Sequence, residues 1–171
     1  MNVKDRFMIT AYAAIWRTTS NTIAKKLEQL NSKASYDLGV SMFNHLKQEL
    51  DNLESNLDKF EYQGDPFGGK LNVVFPEWYV CLMKKGDCDD SAFLLSKIIN
   101  GGQIWAIIKS ISNTDAAGHC IYMDPDKYVW SNFKKENQYD SIEDAAKHYI
   151  SKWKYAIQLT PDIKIKKIVE R

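Results

Sequence analysis

The sequence predicts an α+β fold, on three observations. Apolar residues recur at helical spacing through the first third of the chain, the period changes to two after Asn100-Gly101-Gly102, and turn residues then separate several short alternating runs. Helices first and strands afterwards is the order of helices packed on an antiparallel sheet, not of alternating βα units. The 171 residues suffice for a single domain with a real core.

Over residues 4–30, Phe7, Ala11, Ala14, Ile15, Ile23, Leu27 and Leu30 form a helical stripe that Ser20 or Asn21 can divide. A second stripe, Leu38, Met42, Leu46, Leu50, Leu53 and Leu57, runs through residues 36–57 opposite Lys47, Glu49, Asp51, Glu54 and Lys59. Residues 1–60 are therefore expected as a helical hairpin, 61–160 as the core and 161–171 as a C-terminal tail. Residues 62–70 (YQGDPFGGK) read as a loop, and Leu71 after Gly69-Lys70 removes the hydroxyl that a phosphate-binding loop needs.

Pro76 suits the first position of a short helix that Gly86 ends, and Asp87 is a good N-cap for the next. Ala92, Leu94, Leu95, Ile98 and Ile99 make that next helix apolar nearly all round, hence buried. Strands follow over 104–108, 118–123 and 128–133, with Asp124-Pro125-Asp126-Lys127 as a turn. Ser141 caps a helix over 142–152, and 153–159 alternate as a last strand.

Net charge is +1 in a chain that is 44% hydrophobic and 26% charged, so no global field draws it to nucleic acid or a membrane surface. Residues 7–16 follow Lys4 and Arg6 like a weak export signal, but the run is short and passes into helix-forming sequence, so we read it as an amphipathic helix. No run is long enough to span a bilayer. Cys81, Cys88 and Cys120 are odd in number and lack CxxC spacing, which fits neither a disulfide framework nor a zinc site and suits a reducing compartment.

Cys88 stands apart, because Asp87, Asp89 and Asp90 surround it at a helix start in KKGDCDDSAFLL. Acidic residues suit a helix N-terminus, and the same terminus stabilises a thiolate. A nucleophilic thiol needs a base. Of the three histidines, His45 lies among charges on a helix and His148 near a helix C-terminus, whereas His119 opens a strand behind Gly118. A hairpin with an even loop places Met123 opposite Tyr128 and His119 opposite Asn132, roughly 5 Å apart at Cβ, where the Asn132 amide can fix the imidazole tautomer. An odd loop brings Ser131 or Phe133 there instead.

Pro76-Glu77-Trp78, Gly86-Asp87-Cys88-Asp89-Asp90-Ser91-Ala92, Gly118-His119-Cys120 and Tyr128-Val129-Trp130-Ser131-Asn132 together resemble the transglutaminase-like branch of the papain superfamily, and within it the bacterial transglutaminase-like cysteine proteinases. The resemblance covers residues 65–133. It implies a papain/transglutaminase-like fold in which a nucleophile-bearing helix packs on an antiparallel sheet. It also implies a cysteine hydrolase or acyltransferase that acts on a peptide bond or glutamine side-chain amide through a thioester, with a protein or peptide as substrate.

Cys88 would be the nucleophile, His119 the base and Asn132 the orienting group, with Trp78 or Tyr79 as a second oxyanion donor beside the Cys88 N–H. The family's catalytic Asp falls on Ser131, so the alternative is a weakened relative serving as a protein-binding or inhibitory module. No cofactor is required, but some relatives depend on calcium, and Asp87, Asp89 and Asp90 hold the corresponding positions. Carboxylate oxygens suit that hard cation. The Lys- and Asn-rich composition associates with bacterial and phage proteins, and the expected location is the cytoplasm of a bacterial or phage-infected cell.

Overall fold

The computed structural model describes residues 1–64, 73–109 and 118–171; most of the glycine-rich loop anticipated at 62–70 lies outside them. In chain order come helix α1 (Val3–Leu30), α2 (Lys33–Gln48), a 3₁₀ turn (Leu50–Asn52), α3 (Leu53–Leu57), strand β1 (Glu61–Tyr62), α4 (Glu77–Met83), β2 (Lys85–Gly86) and α5 (Cys88–Ile98). Then follow β3 (Gln103–Ile108), β4 (Gly118–Met123), β5 (Tyr128–Ser131), β6 (Lys134–Gln138), α6 (Ile142–Tyr149), β7 (Tyr155–Leu159) and β8 (Ile165–Glu170). Strands β3 to β8 form one antiparallel sheet in the order β6-β5-β4-β3-β7-β8, while β1 and β2 pair separately and in parallel. The α+β class thus holds. No described helix is long and apolar enough to cross a membrane.

Alternation along the strands divides the core into two layers. Ile104, Cys120, Tyr122, Trp130, Tyr155 and Ile157 face α5, whose Phe93, Leu94, Leu95 and Ile98 are all buried. Trp105, Ile107, Ile121, Met123 and Val129 face α6 through Ala145 and Ala146. Each large apolar side chain so buried contributes about 1.5–3 kcal/mol, which makes α5 the best-anchored helix of the site.

The N-terminal helices depart from the expected stripes. α1 is unbroken and buries Ile9, Ala13, Trp16 and Ser20, while Phe7 is 70% and Leu30 81% exposed. Trp16 meets the Phe93 ring edge-on at 5.7 Å, and Ser20 Oγ accepts the Val74 N–H, so one aromatic contact and one hydrogen bond outrank the more apolar face. Instead of one helix over 36–57, the chain bends at Glu49 into the 3₁₀ turn. α2 packs on α4, with Gly39 against the Trp78 carbonyl, rather than forming a simple hairpin with α1.

Two strand ends also differ. The run expected over 128–133 stops at Ser131, because Asn132 and Phe133 both take positive φ (50° and 67°) and turn the chain into β6. Asn tolerates that region, but Phe does not. Burial of Phe133 against Phe60 and its N–H bond to Ser91 Oγ (2.7 Å) hold it there. The expected tail at 161–171 carries β8, which pairs with β7 at the sheet edge.

Candidate active site

α5 begins with a complete capping box. Asp87 Oδ1 accepts the N–H groups of Asp89 and Asp90, and Asp90 Oδ2 accepts the Asp87 N–H. The other Asp90 oxygen takes the Phe75 N–H at 2.7 Å. Gly86 permits this closeness, since a Cβ there would come within 2.7 Å of the Asp90 Cβ. A buried Ser91–Phe133 hydrogen bond then pins the first turns of α5 to the β5–β6 turn. This bond sets Cys88 relative to the strand that carries Ser131.

Pairing of β4 with β5 runs through Met123↔Val129 and Tyr122↔Trp130. The register is therefore the odd one. Asp124 side-chain and backbone bonds to Tyr128, with Lys127 at φ 66°, close a five-residue loop. The expected contact of His119 with Asn132 is corrected accordingly: His119 Nε2 meets Ser131 Oγ at 2.8 Å. Asn132 makes the turn, with its Oδ1 buried and without a hydrogen-bond partner.

Past Tyr122↔Trp130 the two strands part, and the Cys88 sulfur meets the backbone N–H of Cys120. Cys88 thus sits at the peptide joining His119 to Cys120, on the α5 side of the sheet. His119 projects to the α6 side, where its ring lies 5.0 Å from that of Tyr149. No hydrogen bond joins Cys88 to His119 among the described residues; the sulfur's neighbours are the N–H groups of Cys120 and of Cys88 itself.

The electrostatics reverse one expectation. Burial, and then the Asp87 carboxylate, push the Cys88 thiol up to about 11 despite those N–H donors. At the helix N-terminus, desolvation and a like charge outweigh the dipole. Cys81 is pushed up further, to about 12, chiefly by burial. His119 is lowered from its ordinary value by burial, partly offset by Glu136 and Asp87. Its imidazole is thus neutral at pH 7.

Asp87, Asp89 and Asp90 each offer a carboxylate oxygen within 4.8 Å of the others, which suits a cation. Asp89 is the telling member, because it is 2% exposed and its Oδ2 has no donor. Burial and a side-chain hydrogen bond to Asp87 hold its carboxyl well above the usual carboxylate range.

Trp78 and Tyr79, suggested as oxyanion donors, lie on α4: Trp78 contacts Tyr36 of α2, and Tyr79 contacts Phe75. The residues that sequence reasoning missed are Glu136 and Tyr149, which border a cleft of about 510 Å³ with His119, Ser131 and Asn132. Glu136 falls on a strand that was not expected, and Tyr149 reads as an ordinary helix residue. Against known proteins, no family model, no curated protein and no solved structure matches this chain.

Proposed function

We propose that this protein is a cysteine-dependent hydrolase or acyltransferase of the transglutaminase-like type, with Cys88 as nucleophile and His119 as base. The observation that carries the reading is the convergence on one peptide: the Cys88 sulfur at the Cys120 N–H, and the His119 imidazole held at Nε2 by Ser131. With Nε2–H donating to Ser131 Oγ, Nδ1 is the basic nitrogen. As the sulfur attacks the carbonyl carbon of a peptide or glutamine side-chain amide, the reaction requires the thiol proton to reach Nδ1 past the β4 backbone, because Cys88 and His119 rest on opposite sides of the sheet. His119 then returns it to the leaving amine, and a thioester remains on Cys88. The Cys88 N–H, in the first turn of α5, is a donor for the oxyanion. Water or an amine resolves the thioester.

The test is acyl transfer to Cys88. Wild-type protein incubated with β-casein and monodansylcadaverine, and separately with a mixed peptide digest, is expected to yield dansylated casein or shortened peptides. Cys88→Ala should yield neither. Products that persist in Cys88→Ala would overturn the assignment.

The second reading, a binding or inhibitory module on the same fold, is favoured by the raised thiol and the missing sulfur–imidazole bond. It predicts that wild type and Cys88→Ala are alike inert toward both substrates.

At the acidic cluster we propose that Asp89, buried with its Oδ2 unpartnered, holds a proton, with calcium as the competing occupant. A carboxyl whose pKa is raised by folding contributes stability at low pH that is lost as pH rises through the folded value. Asp89→Asn keeps the Oδ1 bond from the Asp90 N–H without an ionisable group, so its melting temperature at pH 8 should exceed that of wild type by about 2 °C or more. The gap should close toward pH 4, and millimolar calcium should leave wild type unchanged. A calcium-dependent rise in wild type that Asp89→Asn abolishes would give the cluster to the cation.

A further inference from the structure

The position that the resemblance assigns to a catalytic Asp is Ser131, which cannot carry charge. Yet the side chains beyond it continue as a chain. His119 Nε2 lies 2.8 Å from Ser131 Oγ, the Ser131 hydroxyl also interacts with the Tyr149 phenol oxygen, and Tyr149 donates to Glu136 Oε2 at 2.6 Å. These groups come from β4, β5, α6 and β6, so no local sequence feature brings them together.

The donors all point one way. Tyr149 has one hydroxyl proton and gives it to the carboxylate. Its oxygen is free to accept the Ser131 proton, and a Ser131 hydroxyl turned toward it accepts at Oγ from the imidazole. The chain reads Nε2–H to Oγ, Oγ–H to Oη, Oη–H to carboxylate. Chains of this kind polarise along their length in a buried setting. The Tyr149 ring also lies along the His119 ring, 5.0 Å between centroids, and limits its rotation.

We propose that Tyr149 and Glu136 are positioning residues for His119: through Ser131 they fix the Nε2–H tautomer and supply the negative charge that a directly bonded aspartate would otherwise provide. The inference rests on His119 being the base of the reaction proposed above. Asp87 at the cap of α5 also acts on the ring, and Lys109, just after β3, lines the same cleft. They are unaltered in the variants below.

The test is a pH titration of the histidine ring carbons and nitrogens by NMR in the full-length protein, with His119 assigned by comparison with His119→Ala. In Glu136→Gln the His119 midpoint should fall below that of wild type, and the ring should lose its preference for Nε2–H. His45, remote on α2, serves as control. Tyr149→Phe removes one oxygen from the chain and should shift the tautomer in the same direction, which keeps the proposal testable if Glu136→Gln does not fold. A His119 midpoint and tautomer unchanged in a folded variant would overturn it. Failure of Cys88 to acylate in wild type would sink the reaction while leaving this titration as it is, so the two outcomes are distinguishable.

Discussion

Replacing His119 with alanine is expected to slow acylation of Cys88 by p-nitrophenyl acetate about 10²–10⁴-fold at pH 7, the usual range for losing a positioned base. The size follows from the resting thiol. With the group pushed up to about 11, only ~10⁻⁴ of Cys88 is thiolate at pH 7, so an unassisted attack is starved of nucleophile. His119 removes that dependence by taking the proton as the C–S bond forms. Burial keeps the imidazole neutral, so base capacity persists through neutral pH and fails only in acid, below its ordinary value of 6.5.

Wild-type rates should therefore be flat across neutrality and fall at low pH. The His119→Ala rate should climb about tenfold per pH unit toward the thiol's own pKa. Stopped-flow release of p-nitrophenol, with intact mass locating the acetyl group on Cys88, reads both profiles. Superimposable profiles would remove His119 from the chemistry.

Gly39→Ala is expected to cost about 1–3 kcal/mol, lowering the melting temperature by roughly 3–10 °C. A Cβ at position 39 would lie 2.3 Å from the Trp78 carbonyl oxygen and 3.0 Å from its carbon, both backbone atoms of α4. Neither can rotate aside, so α2 and α4 must separate. Alanine's better helix propensity returns about 1 kcal/mol, which the estimate already includes. The site should feel the shift, because α4 leads through Lys84–Asp87 into Cys88, and Lys97 of α5 pairs with Glu77 of α4 at 2.5 Å. Thermal unfolding followed by far-UV circular dichroism measures it. A variant at least as stable as wild type would mean that the helices are not in this contact.

The sequence by itself determined what depends on neighbours along the chain. The cap at Asp87, the start of α5 at Cys88, the break at Gly101-Gly102 and the strand opening at Gly118 are local chemistry, and each stands where its residues predict. Tertiary structure decided the rest. Which face of α1 is buried depended on where Phe93 stood for Trp16, not on which stripe was more apolar. The odd register that puts Ser131 rather than Asn132 on the His119 face turned on one residue in the loop after Met123, and a one-residue slip in an antiparallel pair moves every side chain to the other face. The acidity of Cys88 was misjudged for the same reason: a helix start and three aspartates are visible in the sequence, but the burial that outweighs the dipole exists only once β4 covers the sulfur. Glu136 and Tyr149 reach the imidazole through pairings 12 and 13 residues long in sequence, distances over which only the folded sheet sets neighbours.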